Sequence, residues 1–348
     1  MANLSQLKFA MATSIFLSAF IFGLFIFAIV YFLQVDAFTG LFVAFGASAL
    51  FILFQFAIGP SIVAATTRLH YVKPGESPWL EKTVKELVDK SGLPMPKLAI
   101  VPNNTPNAFT FGRSTSSATL AVHEGLLRQL NEGEIKGVIA HELGHIKHKD
   151  YIVMTVLSAL PLIAYMIAQV TLRAGMFSSG GRRNNKDNSG AALLAIGAIS
   201  FAVYIITFLI VMRLSRLREH FADAFSAYVT GSPRDLSSAL AKITYGLSIS
   251  PKAPEGARAF YIGDPATAKA DVKRIMENKN KYDIDRDGVL DERELQMAME
   301  KEAHSTWVQM NSLFATHPPT FKRILLLKEI ETEMDTGKYA NNKMYNHV

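Results

Sequence analysis

Apolar positions in this chain come in two arrangements: long unbroken runs, and shorter stretches where they recur with the period of a helix or a strand. Phe9 to Leu33 holds no charged residue, and about 20 helical residues suffice to cross a bilayer core. A second run, Phe38 to Ile58, follows the short link Gln34 to Ala37, so the pair predicts a transmembrane hairpin. The competing reading of the first run is a cleaved signal peptide. The run is longer than a usual apolar leader core, and no small-x-small cleavage site clearly precedes the second run. Tyr151 to Leu172 and Ala191 to Leu214 are again long and apolar enough to span, with Pro161 tolerated where neighbouring helices re-satisfy the freed carbonyl. Between them Ser178 to Gly190, rich in Gly, Asn and Arg, reads as a polar loop.

The remaining stretches have the mixed pattern of a folded domain. Ser77-Pro78 opens a helix through Leu87, and Lys97 to Val101 and Ser117 to Val122 alternate as strands. Pro106 to Gly112 between them is also extended by pattern. As an exposed edge it would pair with the backbone of an extended peptide, which makes Asn107, Ala108 and Phe109 candidate substrate-binding residues. The alternative is a plain hairpin covering the neighbouring helix. Ser232-Pro233 starts a helix through Leu247, and Ile324 to Met334 forms another near the end.

The run Glu134 to Lys149 is helical by pattern and contains His141-Glu142-Leu143-Gly144-His145. A helix turns about 100° per residue, so His141 and His145 share a face and can bind one ion. Glu142, beside the first ligand, is placed to take a proton from an attacking water. Two histidines and a glutamate also occur on ordinary amphipathic helices, so the motif needs a third ligand. Leu214 to Ser226 supplies one: Glu219 and Asp223 lie four apart, one available to the metal and one to brace an imidazole. His141, His145 and Glu219 then match the two-His-one-Glu ligation of catalytic zinc. The segment between His145 and Glu219 must leave the site and return, which requires an even number of crossings, and two apolar runs lie there.

A second motif spans Asp283 to Glu294. It fits the twelve-residue EF-hand loop, with Asp283, Asp285, Asp287 and Asp291 at positions one, three, five and nine, Gly288 at six, the Val289 carbonyl at seven and Glu294 at twelve. Calcium is the expected ion. The alternative is an acidic, solvated loop; Lys279 and Lys281 stand in the entering helix where apolar residues are usual. His317, before Pro318-Pro319, could donate to the oxyanion of a tetrahedral intermediate or be an ordinary loop residue.

Composition narrows the choice of ligands and partners. Hydrophobic residues make up 49% of the 348 positions and charged residues 19%, with mean hydropathy +0.18, which favours a membrane protein. There is no cysteine, so thiolate zinc sites and disulfides are excluded. Net charge is +6, but the bases flank apolar runs and form no basic patch with interleaved aromatics, so nucleic acid is not an expected partner. Lys8, Arg68, Lys147, Lys149, Arg213, Arg216 and Arg218 belong to the catalytic side, which places that side in the cytoplasm and the chain in the plasma membrane; Arg173, Arg182, Arg183 and Lys186 in the opposite loop weigh against this.

The chain resembles the HtpX-type membrane zinc metalloproteases, relatives of the CAAX prenyl proteases. The resemblance covers most of the chain and rests on Pro106 to Gly112, the His141 to His145 helix, Ser215 to Asp223 and Thr316 to Arg323, in family order. It implies His141, His145 and Glu219 as zinc ligands, Glu142 as catalytic base, Asp223 as a brace, Asn107 near the bound peptide and His317 near the transition state. The four-span layout is that of the HtpX branch, and the EF-hand-like segment departs from the family pattern as an insertion.

The expected fold is a mostly α integral membrane protein, with four transmembrane helices and a zincin-like α+β catalytic domain whose small β-sheet lies beside the HExxH helix. Its parts are a transmembrane hairpin (1–60), the first catalytic segment (61–150), a second hairpin (151–214), the segment with the third ligand (215–268), the EF-hand-like insertion (269–303), a C-terminal catalytic segment (304–338) and a tail (339–348). The expected activity is zinc-dependent endoproteolysis of membrane or misfolded proteins, modulated by calcium. A CAAX-type processing protease and a catalytically silent calcium-responsive membrane scaffold are the alternatives, the latter disfavoured by the intact ligands and Glu142.

Overall fold

The computed structural model describes residues 4–32, 36–179, 189–249, 262–263, 268–269, 273, 275–285, 294, 297–298, 315–337 and 345. In chain order its main elements are α1 (Leu4–Phe32), α2 (Ala37–Thr67), β1 (His70–Tyr71), α3 (Pro78–Ser91), β2 (Lys97–Val101), β3 (Ala108–Phe111), β4 (Thr119–His123), α4 (Glu124–Gln129), α5 (Glu132–His148), α6 (Asp150–Ser179), α7 (Ser189–Thr230), α8 (Pro233–Ile249) and α9 (Thr320–Asp335). The chain divides into two compact units. One comprises Met1–Lys8, Pro60–Tyr151 and Ser215–Val348; the other comprises Phe9–Gly59 and Ile152–Leu214.

Among its described residues the second unit is helical except at Asp36, just before α2. Leu7–Phe27, Phe38–Thr67, Asp150–Phe177 and Gly190–Thr230 are each long and apolar enough to cross a membrane. Phe22, Phe25, Ile26 and Val30 of α1 pack with Ala164 of α6 and Val203 of α7, while Phe16, Phe20, Leu24 and Phe27 of α1 are exposed. Lipid tails are as apolar as these side chains, so close packing between such helices falls to small residues. Gly175 and Gly197 serve this in α6 and α7. A Cβ on Gly175 would sit 2.8 Å from Leu194 Cγ, and one on Gly197 would sit 2.6 Å from Leu172 Cγ. The apolar runs read from the sequence end at Ile58 and Leu214, but α2 continues to Thr67 and α7 to Thr230. α2 continues through Gly59 and Pro60, which do not end it, and α7 carries no proline or glycine between Leu214 and Thr230.

The first unit has a four-stranded sheet in the order β1-β2-β4-β3. β2 and β4 run parallel, with Ala99 opposite Ala121; β1 and β3 are antiparallel to their neighbours, and β3 lies at the edge. The two-residue β1 and the short α4 have no clear signal in the sequence. Alternation sends Ala108 to one face of the sheet, into the main core with Leu120 and Val122, and Phe109 and Phe111 to the other, against Val63 of α2.

Helix α5 lies inside this unit. Asn131 caps it in a reciprocal box, Oδ1 accepting from the Glu134 N–H at 2.9 Å and Glu134 Oε2 accepting from the Asn131 N–H at 2.8 Å. The helix packs on β3, α3 and α8, and two of its glycines admit close neighbours. A Cβ on Gly137 would meet Leu236 N at 3.0 Å, and one on Gly144 would meet Ala222 Cα of α7 at 3.0 Å. Gly144→Ala is expected to push α5 and α7 apart by a few tenths of an ångström at the level of Glu219 and to cost about 1–3 kcal/mol. Thermal unfolding measured beside zinc affinity checks this; an unchanged value of both would show that the helices do not pack as described.

Candidate active site

α5 ends at a turn through Lys149, whose φ of 58° lies in the left-handed region and whose N–H bonds back to the carbonyls of His145 and Ile146. That turn brings Asp150 back under the helix, where Oδ2 lies 2.7 Å from His145 Nδ1. Asp150 Oδ1 in turn is 2.8 Å from Arg218 Nε, an ion pair buried on both sides. His141 has the same arrangement with other partners. Its Nδ1 is 2.9 Å from Asp223 Oδ1, and both oxygens of Asp223 accept from Arg323, Nε to Oδ2 at 2.8 Å and Nη2 to Oδ1 at 2.7 Å. Each imidazole thus has its Nδ1 held by a carboxylate, and each carboxylate is neutralised by an arginine. This leaves both Nε2 atoms facing inward.

The two Nε2 atoms are 3.2 Å apart, His141 Nε2 is 3.5 Å from Glu219 Oε2, and His145 Nε2 is 3.4 Å from Glu219 Oε1. Ligand atoms at about 2.0–2.1 Å from a tetrahedral ion lie roughly 3.3 Å from one another, so these separations fit zinc without movement. The donor set of two imidazoles and a carboxylate suits zinc as well. Glu219 Oε2 is buried and accepts no aligned hydrogen bond, although Arg323 Nη1 stands 3.3 Å away. Arg323 offsets part of its charge, but with no directed donor the oxygen is left open to a metal ion.

Glu142 is buried between this cluster and the sheet and accepts a hydrogen bond from the Thr110 side chain of β3. Burial raises its proton affinity above the usual carboxylate range, against the opposing charges of His145 and His141. Burial and the charge of Arg323 press the His141 pKa down, but the bonds to Asp223 and Glu219 outweigh them and lift it to about 9. Such a neighbourhood also strengthens the imidazole as a ligand. Arg323 is itself buried; burial lowers its proton affinity, and Asp223, Glu219 and Glu142 more than restore it.

Of the other candidates from sequence, His317 lies with its Nε2 3.7 Å from Glu219 Oε1, close enough to face the same ion. Arg216 donates to the Ala315 carbonyl at 3.1 Å and so fixes the segment leading to His317. Asn107 is buried, its Oδ1 accepting from the Ile262 N–H at 2.9 Å, and Ala108 and Phe109 turn into opposite cores. What β3 presents along its edge is therefore backbone rather than these three side chains. Asp283, Asp285 and Glu294 converge, with one oxygen of each within 4.8 Å of the others. Asp287, Val289 and Asp291 lie outside the described residues.

Four contributors were not singled out from sequence: Asp150, Arg218, Thr110 and Arg323. Asp150 stands five residues after His145 and Arg218 immediately before Glu219; Thr110, Arg218 and Arg323 lie inside the motifs that carry the family resemblance, but nothing along the chain assigns them a role. His148 was also passed over. Burial pushes its pKa down to about 4, and its Nε2 meets the Tyr345 hydroxyl at 2.9 Å beside Phe221 and Phe225.

The family profile of peptidase family M48 matches residues 74–331. The chain belongs to peptidase family M48. The Protease HtpX homolog of Aeropyrum pernix is 36% identical over 307 residues, covering 86% of this chain and 91% of that one. The homolog of Thermococcus sibiricus is 35% identical over 301 residues (85% and 88%), and that of Pyrococcus furiosus 32% over 298 (85% and 88%). Among solved structures, the crystal structure of S. mikatae Ste24p aligns with a TM-score of 0.49 at 16% identity, covering 93% of this chain and 66% of that chain. With its four candidate spans, this M48 chain is a multi-pass membrane metalloprotease similar to the HtpX proteins.

Proposed function

We propose that this chain is a zinc-dependent endopeptidase that cleaves membrane or misfolded proteins, with His141, His145 and Glu219 holding the ion. The observation that carries this reading is the set of three donors at tetrahedral spacing beside a buried Glu142. Zinc held there supplies a Lewis acid that acidifies the attacking water and polarises the scissile carbonyl. Glu142 removes the water's proton and later returns it to the leaving amine, its raised proton affinity suiting both steps. The edge of β3 hydrogen bonds with the substrate backbone and holds it extended over Glu142. His317 donates to the developing oxyanion.

Backbone pairing does not depend on substrate side chains, which suits a protease with many unfolded substrates better than one bound to a single C-terminal motif. The same reading includes calcium as a second ion at Asp283, Asp285 and Glu294, a set of hard oxygen donors. It also includes a cytoplasmic catalytic unit, from the bases Arg68, Lys147 and Lys149 beside the spans; accessibility to protease in sealed vesicles checks that side.

The test of function is cleavage of an unmodified, unfolded protein by the purified chain. Hydrolysis is expected to stop with a zinc chelator and to return with stoichiometric zinc. Cleavage confined to a prenylated C-terminal peptide would favour the CAAX-type alternative, and no chelator-sensitive cleavage of either would overturn the reading.

A further inference from the structure

We propose that Thr316 is a positioning residue for the hydrolysis: its hydroxyl donates to Nδ1 of His317 and so fixes the hydrogen of that imidazole on Nε2, the nitrogen that donates to the oxyanion. The inference rests on the protease reading and on His317 as the oxyanion donor within it; what it adds is the group that makes His317 a donor.

The contacts of the ring come first. Thr316 Oγ1 lies 2.9 Å from His317 Nδ1, which leaves Nε2 as the ring nitrogen turned to the site. Nε2 stands 3.7 Å from Glu219 Oε1. The donors that converge within 4.8 Å of one another are His141, His145 and Glu219, and His317 is not among them. It thus stands beside the ligand set rather than in it, which suits a hydrogen-bond donor better than a fourth ligand.

A neutral imidazole donates from one nitrogen and accepts at the other, and the partner of one nitrogen sets the state of the other. The separation from Thr316 allows the hydroxyl either part. Glu219 decides between them. A carboxylate oxygen only accepts, so a bare Nε2 would set its lone pair against Oε1, whereas Nε2–H is attracted to it. Nδ1 is then the acceptor and Thr316 the donor. In the opposite tautomer His317 would have no hydrogen to offer an oxyanion.

The surrounding chain holds this pair in place. Arg216 of α7 donates to the carbonyl of Ala315, the residue before Thr316, and Arg216 lies three residues before Glu219. The helix that supplies the third metal donor therefore also anchors, from the same face, the segment that carries the hydroxyl. Beyond the pair, Pro318 and Pro319 restrict the backbone, and the Thr320 hydroxyl meets that of Thr244 in α8 at 2.9 Å. His317 is 6% exposed, so water has little access to Nδ1 in place of the hydroxyl.

The test uses the full chain, zinc-loaded, in detergent micelles, with an unfolded protein as substrate. Thr316→Val, close in shape but without the hydroxyl, is expected to lower kcat about tenfold while KM, zinc content and melting temperature stay at the parent values, because an oxyanion exists only in the transition state. Thr316→Ser keeps a hydroxyl and should recover most of that loss. His317→Ala should lose about a hundredfold, and adding Thr316→Val to it should cost nothing more. In nitrogen NMR of protein with isotopically labelled histidine, the signals missing from His317→Ala should show Nε2 protonated and Nδ1 bare in the parent, and a mixture of tautomers in Thr316→Val.

A hydrogen on Nδ1 in the parent, with or without one on Nε2, overturns the proposal. So does a Thr316→Val rate at the parent value, or an equal loss when His317 is already absent, which would make Thr316 structural only. Parent turnover in His317→Ala removes the oxyanion role and the proposal with it. If the chain hydrolyses nothing, the protease reading fails, and the nitrogen signals alone decide whether Thr316 fixes the tautomer.

Discussion

Glu142→Gln is expected to reduce hydrolysis of an unfolded protein by about 10²–10⁴-fold while zinc content and melting temperature stay at those of the parent. The amide has the size of the carboxylate and still accepts from Thr110, so the buried side chain keeps its place. It cannot take a proton from water or return one to the leaving amine. The expected signature is a fall in kcat with little change in KM, because Glu142 acts on the attacking water and does not hold the peptide. Metal analysis of the purified variant beside single-turnover kinetics reads both halves of the expectation. Turnover near the parent value, at equal zinc, would remove Glu142 from its role. A silent scaffold would give a different result, since its parent chain would show no chelator-sensitive rate to lose.

Arg323→Met is expected to have the larger effect on stability. Arg323 is 1% exposed and holds both oxygens of an Asp223 that is itself fully buried, so its removal leaves a carboxylate without its cation in a low-dielectric site. Breaking such a pair by removing one partner costs about 3–5 kcal/mol. Freed from Arg323, Asp223 no longer fixes His141, and partners of this kind are worth about 10–100-fold in metal affinity. Denaturant unfolding and competition against a zinc chelator measure the two effects. Arg323→Lys is expected to recover only part of either, since an ammonium cannot make the two parallel bonds of a guanidinium. Pairing Arg323→Met with Asp223→Asn should restore stability more than metal affinity, because the amide removes the unpaired charge but orients the imidazole less well. A single variant with parent stability and parent affinity would show that the arginine does not brace the site.

Much of the site was legible because its chemistry is local or strongly typed. His141, Glu142 and His145 fall within one and a half helical turns, so the helical repeat alone puts the imidazoles on one face. The choice of Glu219 comes from the want of a third donor, and the even number of apolar runs before it agrees with that choice; neither argument needs coordinates. Asn107 shows where such reasoning stops. The strand around it was recognised as extended, but which of its atoms face a substrate depends on what packs on each side of the sheet. There the Asn107 amide turns to Ile262, 155 residues away. Arg323 shows the same limit: the motif from Thr316 marks its segment, but its role is out of reach, because it becomes part of the site only where α9 packs against the Asp223 that α7 presents.

By itself the amino-acid order marked out the four candidate spans, most of the helices and strands of the catalytic unit, the family resemblance and the candidate ligands, because apolar length, helical period and motif spacing are properties of neighbours. The tertiary structure decided what surrounds the ligands: which carboxylate holds each Nδ1, which arginine neutralises that carboxylate, and that one face of α9 rests on the flanks of the acidic loop while the other holds Asp223. A charge costs too much to bury unless its partner is buried with it, and which partner arrives is settled only when segments far apart in the chain pack together.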